Sequence, residues 1–226
     1  MKKITALLYD DFTALDLFGP LEALSRLPDH EVRYTSLDGG AVTNHTGLSV
    51  STEKVSQDAR IGILLLPGGF GSRKMVNDRV FLQTLRTMAA HADFVLSVCT
   101  GSALLARAGV LDGRKATGNK KSFDWTVSME PRTEWVREAR WVRDGNICTA
   151  GGVAAGIDMA IGFIADQYGM QMARDIARGM EYRWGEDPSD GLSGFENTGE
   201  ARTESKTRVL HSISLHGRER IQRAPG

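Results

Sequence analysis

The sequence predicts an α/β protein with a mostly parallel sheet and helices on both faces. Three observations carry this reading. Short apolar runs alternate with segments of helical spacing along most of the chain. The run Ile61–Leu66 is continuously apolar, as a strand buried on both faces must be. Two such runs end in small residues before a helix, at Pro67-Gly68-Gly69-Phe70-Gly71 and at Cys99-Thr100-Gly101-Ser102. A composition with 41% hydrophobic and 25% charged residues suits a globular core.

In order, Ile4–Leu8 is the first strand. Thr13–Leu27 has helical spacing, with Leu15, Phe18, Leu21, Leu24 and Leu27 on one face. Gly19-Pro20 interrupts it. A proline inside a helix removes a hydrogen bond, so a short turn and then a helix starting at Pro20 are expected. His30–Leu37 reads as a strand and Asp38-Gly39-Gly40 as a turn. The weakly alternating stretch to Val55 reads as a hairpin or an edge strand. After the Ile61–Leu66 strand and its glycine loop, Asp78 is placed to cap a helix reaching Ala90. Phe94–Val98 is the next strand, and Ser102–Ala108 the helix that leaves it. Gly109 ends that helix. A short strand at Lys115–Thr117 and a helix over Ser122–Met129 follow. Asp144-Gly145 between Glu138–Arg143 and Asn146–Thr149 signals a hairpin. Val153–Tyr168 and Met170–Met180 are the last helices. Residues 1–195 read as one domain. Residues 196–226 are polar, with few large apolar side chains outside Val209–Leu215, and read as a mobile tail, the alternative being a short amphipathic segment packed on the domain or a partner subunit.

The totals exclude several classes. The formal net charge is zero, which gives no global attraction to nucleic acid or an anionic membrane. No apolar run is long enough to span a bilayer, and the N-terminus lacks the pattern of a secretory signal. The two cysteines, Cys99 and Cys148, make neither a disulfide framework nor a zinc pattern. A cytoplasmic location with free thiols is expected. The glycine loop fits neither the P-loop nor the dinucleotide fingerprint. No cofactor and no metal are expected.

Candidate chemistry centres on LSVCTGSALLA, residues 96–106. A strand that turns sharply into a helix lifts a side chain toward the helix's first N–H groups, which should favour a thiolate at Cys99. A buried core thiol is the ordinary fate of a cysteine, but a tight elbow needs small neighbours, and Thr100, Gly101 and Ser102 supply them. Gly68 and Gly69 sit at the same sheet edge, where bare backbone N–H groups can approach a reacting atom. A plain strand-to-helix turn is the alternative. Asp16 lies on an otherwise apolar helix face, which is costly for a carboxylate without a partner or a role. Beside a cysteine and partly buried, its pKa would rise and it would serve as a proton carrier. A helix cap or surface acid is the alternative. The histidines are His30, His45, His91, His211 and His216, and none is placed for a Cys-His dyad. Cys148 reads as core and Asp158 as a structural acid.

Four stretches, TALDLFGPLEAL, LLLPGGFG, VCTGSALLARAGVLDGRKAT and TAGGVAAGIDMAIGFIA, resemble the ThiJ/PfpI superfamily over residues 1–190. The resemblance implies a flavodoxin-like sandwich, a homodimer, and a nucleophile-elbow cysteine at Cys99. The family's acid falls on Asp16 and its glycine loop on Gly68 and Gly69. Asp at that position and Thr100 after the cysteine look most like the isonitrile hydratases, which add water to R–N≡C to give a formamide. That likeness implies attack by Cys99, proton handling by Asp16, orientation of Asp16 or water by Thr100, and binding by backbone N–H groups near Gly69 and Thr100. The chain departs from the pattern at Asn119, where many relatives carry a histidine. Asn cannot act as a base, so histidine-dependent amidase or protease chemistry is not implied. The expected partner is a small-molecule substrate, with no nucleic acid and no membrane. The alternatives are a glyoxalase or deglycase on reactive carbonyls, and a non-catalytic sensor related to transcription regulators. Residues 196–226 show no convincing recognition helix for the latter.

Overall fold

The structure is a computed structural model that describes residues 2–56 and 60–191. The tail expected over 196–226 lies outside the described residues. The elements are β1 (Lys2–Leu7), α1 (Ala14–Leu24), β2 (His30–Ser36), β3 (Gly40–Thr43), β4 (Ser49–Lys54), β5 (Ile61–Leu66), α2 (Ser72–Met75) and α3 (Arg79–Ala90). They continue with β6 (Ala92–Val98), α4 (Gly101–Arg107), β7 (Lys115–Ala116), α5 (Phe123–Val127), β8 (Glu134–Trp135), β9 (Trp141–Asp144), β10 (Ile147–Ala150), α6 (Ala155–Tyr168) and α7 (Met170–Gly179). The main sheet has the order β3-β4-β2-β1-β5-β6-β10-β9. Its pairings are parallel except at the two edges, where β3 and β9 run antiparallel to their neighbours. This is the flavodoxin-like α/β sandwich.

The strand order reverses direction at β1 and β5. From β1 the chain moves outward to β2, and from β5 it moves the other way to β6. The loops leaving β1, β5 and β6 therefore open a crevice at the carboxyl edge, the usual ligand position in such sheets. The pleat sends alternate strand residues to opposite cores. Ile63 and Leu65 pack with Leu17, Leu21, Met159 and Phe163 of α1 and α6. Leu64 and Leu66 pack with Phe81, Leu85 and Leu104 of α3 and α4.

Most boundaries fall within a residue or two of those expected. Asp78 caps α3, accepting from the N–H groups of Val80 and Phe81 at 3.0 Å each. Gly109 follows α4 with φ +74°. The β9–β10 pairing joins Asp144 to Ile147, so Gly145 and Asn146, rather than Asp144 and Gly145, form the turn. One expectation fails outright. α1 runs unbroken through Gly19 and Pro20. Proline costs about 3 kcal/mol inside a helix, but each buried side chain such as Leu17, Leu21 and Leu24 returns about 1.5–3 kcal/mol. The Gly-Pro pair also packs directly on α6. A Cβ on Gly19 would stand 2.8 Å from Ile157 Cγ1, and one on Gly156 would stand 2.8 Å from Val98 and 3.1 Å from Pro20 Cγ.

The closeness of α1, β6 and α6 at Gly156 has a direct consequence. Gly156→Val is expected to lower the unfolding free energy by about 1–3 kcal/mol through overpacking, despite removing a helical glycine. Urea denaturation reads this, and an unchanged midpoint would refute the tight contact.

Candidate active site

β6 delivers Cys99 to the carboxyl edge and α4 begins two residues later. Cys99 has φ +60°, left-handed backbone that a non-glycine residue adopts at a cost of about 1–3 kcal/mol. Its neighbours hold that conformation. The Cys99 N–H donates to Ala150 O at 3.1 Å and Gly151 O at 2.8 Å, across to the end of β10. Its carbonyl accepts from Ser102 Oγ at 3.1 Å and from the Asn119 N–H at 3.4 Å. The elbow also needs small residues around it. A Cβ on Gly101 would lie 2.6 Å from Leu66 O, and one on Gly118 2.6 Å from Ser102 Oγ.

Asp16 comes to the same edge because α1 follows β1. Its side chain is fully buried. Oδ2 accepts from the Gly68 N–H at 3.1 Å, while Oδ1 has no hydrogen-bond partner among the described residues. Burial raises the Asp16 carboxyl to about 7, against the pull of the Gly68 N–H and the Cys99 thiol. Cys99 departs from the expectation of a lowered pKa. Burial first, and then the Asp16 charge, push its thiol up to about 12, although the Thr100 N–H and the Asn119 amide favour the anion. The physical reason is that Cys99 is buried, at 7% exposure, and lies beside the Asp16 carboxylate. The partial charge of a seven-residue helix does not offset both effects. The pair thus holds its charge on oxygen and its proton on sulfur. A carboxyl raised to about 7 beside a thiol can exchange a proton with it near neutral pH.

The glycine loop is held against this pair. A Cβ on Gly68 would lie 2.5 Å from Thr100 N and 2.8 Å from Cys99 Cβ, so only glycine permits the approach. The loop's N–H groups are not free, however. Gly68 N–H is spent on Asp16, and Gly69 N–H donates to Thr100 Oγ1 at 3.0 Å. They position the acid and the loop, in place of the expected oxyanion contact. Thr100 likewise does not reach Asp16 through its side chain. Its hydroxyl donates to Gly69 O at 3.2 Å and lies 3.0 Å from Ser72 Oγ. The Thr100 backbone N–H is the part that faces the sulfur. Asn119 accepts from Ser122 N–H at 3.0 Å through Oδ1, which turns its amide nitrogen toward Cys99.

Three further residues went unremarked in the sequence. Tyr9 donates to Pro67 O at 2.9 Å, beneath the loop. Ser72 ties the loop to Thr100. Lys120 braces the Asn119 loop by donating to Thr117 Oγ1 at 2.8 Å and to Ala139 O, and its burial lowers its pKa to about 8. Only Ser72, a small polar residue just past the glycines, carried a usable signal. No histidine acts on Cys99 among the described residues. His30 contacts Tyr168, and His45 stands edge-on to Phe70 at 6.0 Å on the outer rim. Cys148 is buried in the core, and Asp158 accepts from Arg140 Nε at 2.7 Å as a structural acid. No group of metal-ligating side chains occurs among the described residues. None of their helices is long and apolar enough to cross a membrane.

Comparison with known proteins adds four findings. The DJ-1/PfpI family profile matches residues 2–166. An isonitrile hydratase of Pseudomonas putida is 36% identical over 183 residues, 80% of this chain and 78% of that one. The HTH-type transcriptional regulator CdhR of Pseudomonas aeruginosa is 31% identical over 63% of this chain, which spans 42% of the regulator. Among solved structures, a ThiJ/PfpI family protein from Pseudomonas syringae superposes with a TM-score of 0.74 at 27% identity, covering 95% of this chain and 86% of that one.

The raised carboxyl makes stability depend on pH. Between pH 4 and 7 the folded chain keeps a proton on Asp16 that the unfolded chain has lost. Stability therefore falls as pH rises through that window, by at most about 4 kcal/mol. Asp16→Asn, which keeps an acceptor for Gly68, is expected to stabilise the fold by about 1–4 kcal/mol at pH 8 and to leave it unchanged at pH 4. Urea denaturation at the two pH values checks this. Equal effects at both would contradict the buried, raised carboxyl.

Proposed function

The chain belongs to the DJ-1/PfpI family, and from that premise we propose that it is a cysteine-dependent hydro-lyase adding water to an isonitrile. The product is an N-substituted formamide. One observation carries this reading: the Cys99 thiol faces a buried carboxyl whose pKa burial raises to about 7, with no histidine of the described residues acting on the sulfur. The likeness to an isonitrile hydratase supports it.

The reaction suits an acid of this kind. The Cys99 sulfur bonds the terminal carbon of R–N≡C while its proton passes through Asp16 to that carbon, giving the thioimidate R–N=CH–S. The Thr100 N–H and the Asn119 amide stabilise negative charge on sulfur as the proton leaves it. Water then adds to the same carbon and one of its protons goes to nitrogen. The C–S bond breaks, the remaining hydroxyl proton returns to sulfur through Asp16, and R–NH–CHO leaves. Amide hydrolysis must protonate a departing amine, but here the only leaving group is the thiol itself. One carboxyl with a pKa near neutrality can carry every proton. Gly68, Gly69 and Thr100 hold Asp16 and the loop in register, as positioning residues. A second copy of the chain is the expected partner.

Purified protein is expected to convert a simple alkyl isonitrile to its formamide. Cys99→Ala should abolish turnover with the circular dichroism spectrum intact, and Asp16→Asn should lower kcat by about 10²–10⁴-fold. Full activity in Cys99→Ala would sink the mechanism. Faster consumption of methylglyoxal than of isonitrile would move the assignment to a glyoxalase or deglycase. Cys99 oxidation without turnover of either would favour a sensor.

A further inference from the structure

We propose that Arg73, stacked on Trp125, is a carboxylate-gripping subsite at the rim of the Cys99 site, so that the substrates favoured are isonitriles bearing a carboxylate. This deepens the reading above and rests on it for the reacting group.

The placement follows from two chains of contacts. On one side, Arg73 is the neighbour of Ser72, whose hydroxyl lies 3.0 Å from Thr100 Oγ1 beside the elbow. On the other, Arg73 Nη2 donates to Ser122 Oγ at 3.2 Å. Ser122 in turn donates its N–H to Asn119 Oδ1 at 3.0 Å, and the Asn119 amide faces the sulfur. The Arg73 side chain therefore reaches from the short helix after the glycine loop across to the Asn119 loop, and both loops meet the Cys99 elbow.

The side chain is also held ready. Arg73 Cζ lies 3.7 Å above the Trp125 ring centroid, which fixes the plane of the fork. Of its five N–H donors, one is spent on Ser122, and no described carboxylate lies within 4.0 Å of it. The acid on the facing helix, Asp124, is already taken by Arg137, which itself lies over Phe123. Arg73 is exposed, so its remaining donors face incoming solute. Asp10, Asp11, Asp38 and Asp78 line a cavity with Arg73, but none pairs with it within 4.0 Å, and an arginine with a fixed plane and N–H groups not taken by an acid suits a planar carboxylate held in two parallel hydrogen bonds.

The competing role is a latch that only ties the two loops together. Iodoacetate and iodoacetamide separate the two, since they alkylate the same sulfur, release the same iodide and differ in charge. Rates of Cys99 modification in the full chain are followed by peptide mass spectrometry, which resolves Cys99 from Cys148. Arg73→Gln is expected to lower the iodoacetate-to-iodoacetamide rate ratio about five- to twentyfold, with partial recovery in Arg73→Lys. An unchanged ratio, or an equal fall in both rates, overturns the proposal. The same ratio is then taken for kcat/KM of isocyanoacetate against a neutral alkyl isonitrile. A shift in the alkylation ratio without isonitrile turnover would keep the subsite and reject the hydratase. Turnover of both isonitriles at a ratio insensitive to Arg73→Gln would keep the hydratase and reject the subsite.

Discussion

The left-handed backbone at Cys99 is the constraint on which the site depends. A non-glycine residue holds φ +60° only where its surroundings fix it, and here β10, α4 and the Asn119 loop each bond to its peptide groups. Of these, β10 and the Asn119 loop come from distant parts of the chain, while α4 follows Cys99 directly. Their convergence forces Gly101, Gly118 and Gly68 to lack side chains, because each lies where a Cβ would overlap the elbow or the strand ends around it. The parallel sheet supplies the convergence, since parallel strands bring their carboxyl ends to one edge.

Burial then decides the chemistry. An exposed thiol at a helix N-terminus would ionise readily. A buried one beside Asp16 does not, and the site instead keeps a protonated sulfur facing a carboxyl near its titration point. Two nearby acids in a dry pocket cannot both ionise, so their environments set their protonation apart, which is the division that the proposed roles of nucleophile and proton carrier require. The glycine loop belongs to this arrangement through Gly68, whose N–H donates to Asp16 Oδ2. Thr100 serves the loop with its hydroxyl and the sulfur with its backbone N–H. Arg73 extends the same construction outward, since it touches Ser122 next to Asn119 and follows Ser72 next to the glycine loop.

Much of the fold was legible because strand and helix periods are local. The apolar run Ile61–Leu66, the Asp78 cap and the Gly109 stop each act within one or two turns of chain. The break expected at Gly19-Pro20 failed because its premise was local, while the answer lay in the packing of α1 on Ile157 and Gly156. The candidate site residues Cys99, Asp16, Thr100, Gly68, Gly69 and Asn119, which the structure brings together, could also be picked out in the sequence, through small-residue spacing, a misplaced acid and likeness to a family. Tyr9 and Lys120 were not, because an aromatic and a lysine at those positions look like ordinary core and surface residues.

The sequence by itself determined which segments become strands and helices, that the sheet is mostly parallel, and that a cysteine stands at a strand-to-helix corner. These follow from periodicity, turn residues and side-chain size along a few consecutive positions. Only the tertiary structure decided that Cys99 keeps its proton, that the Gly68 and Gly69 N–H groups are spent on Asp16 and Thr100, and that Arg73 meets Trp125. Desolvation, charge proximity and hydrogen-bond allocation depend on which distant atoms share one small volume, and no stretch of neighbouring residues encodes that.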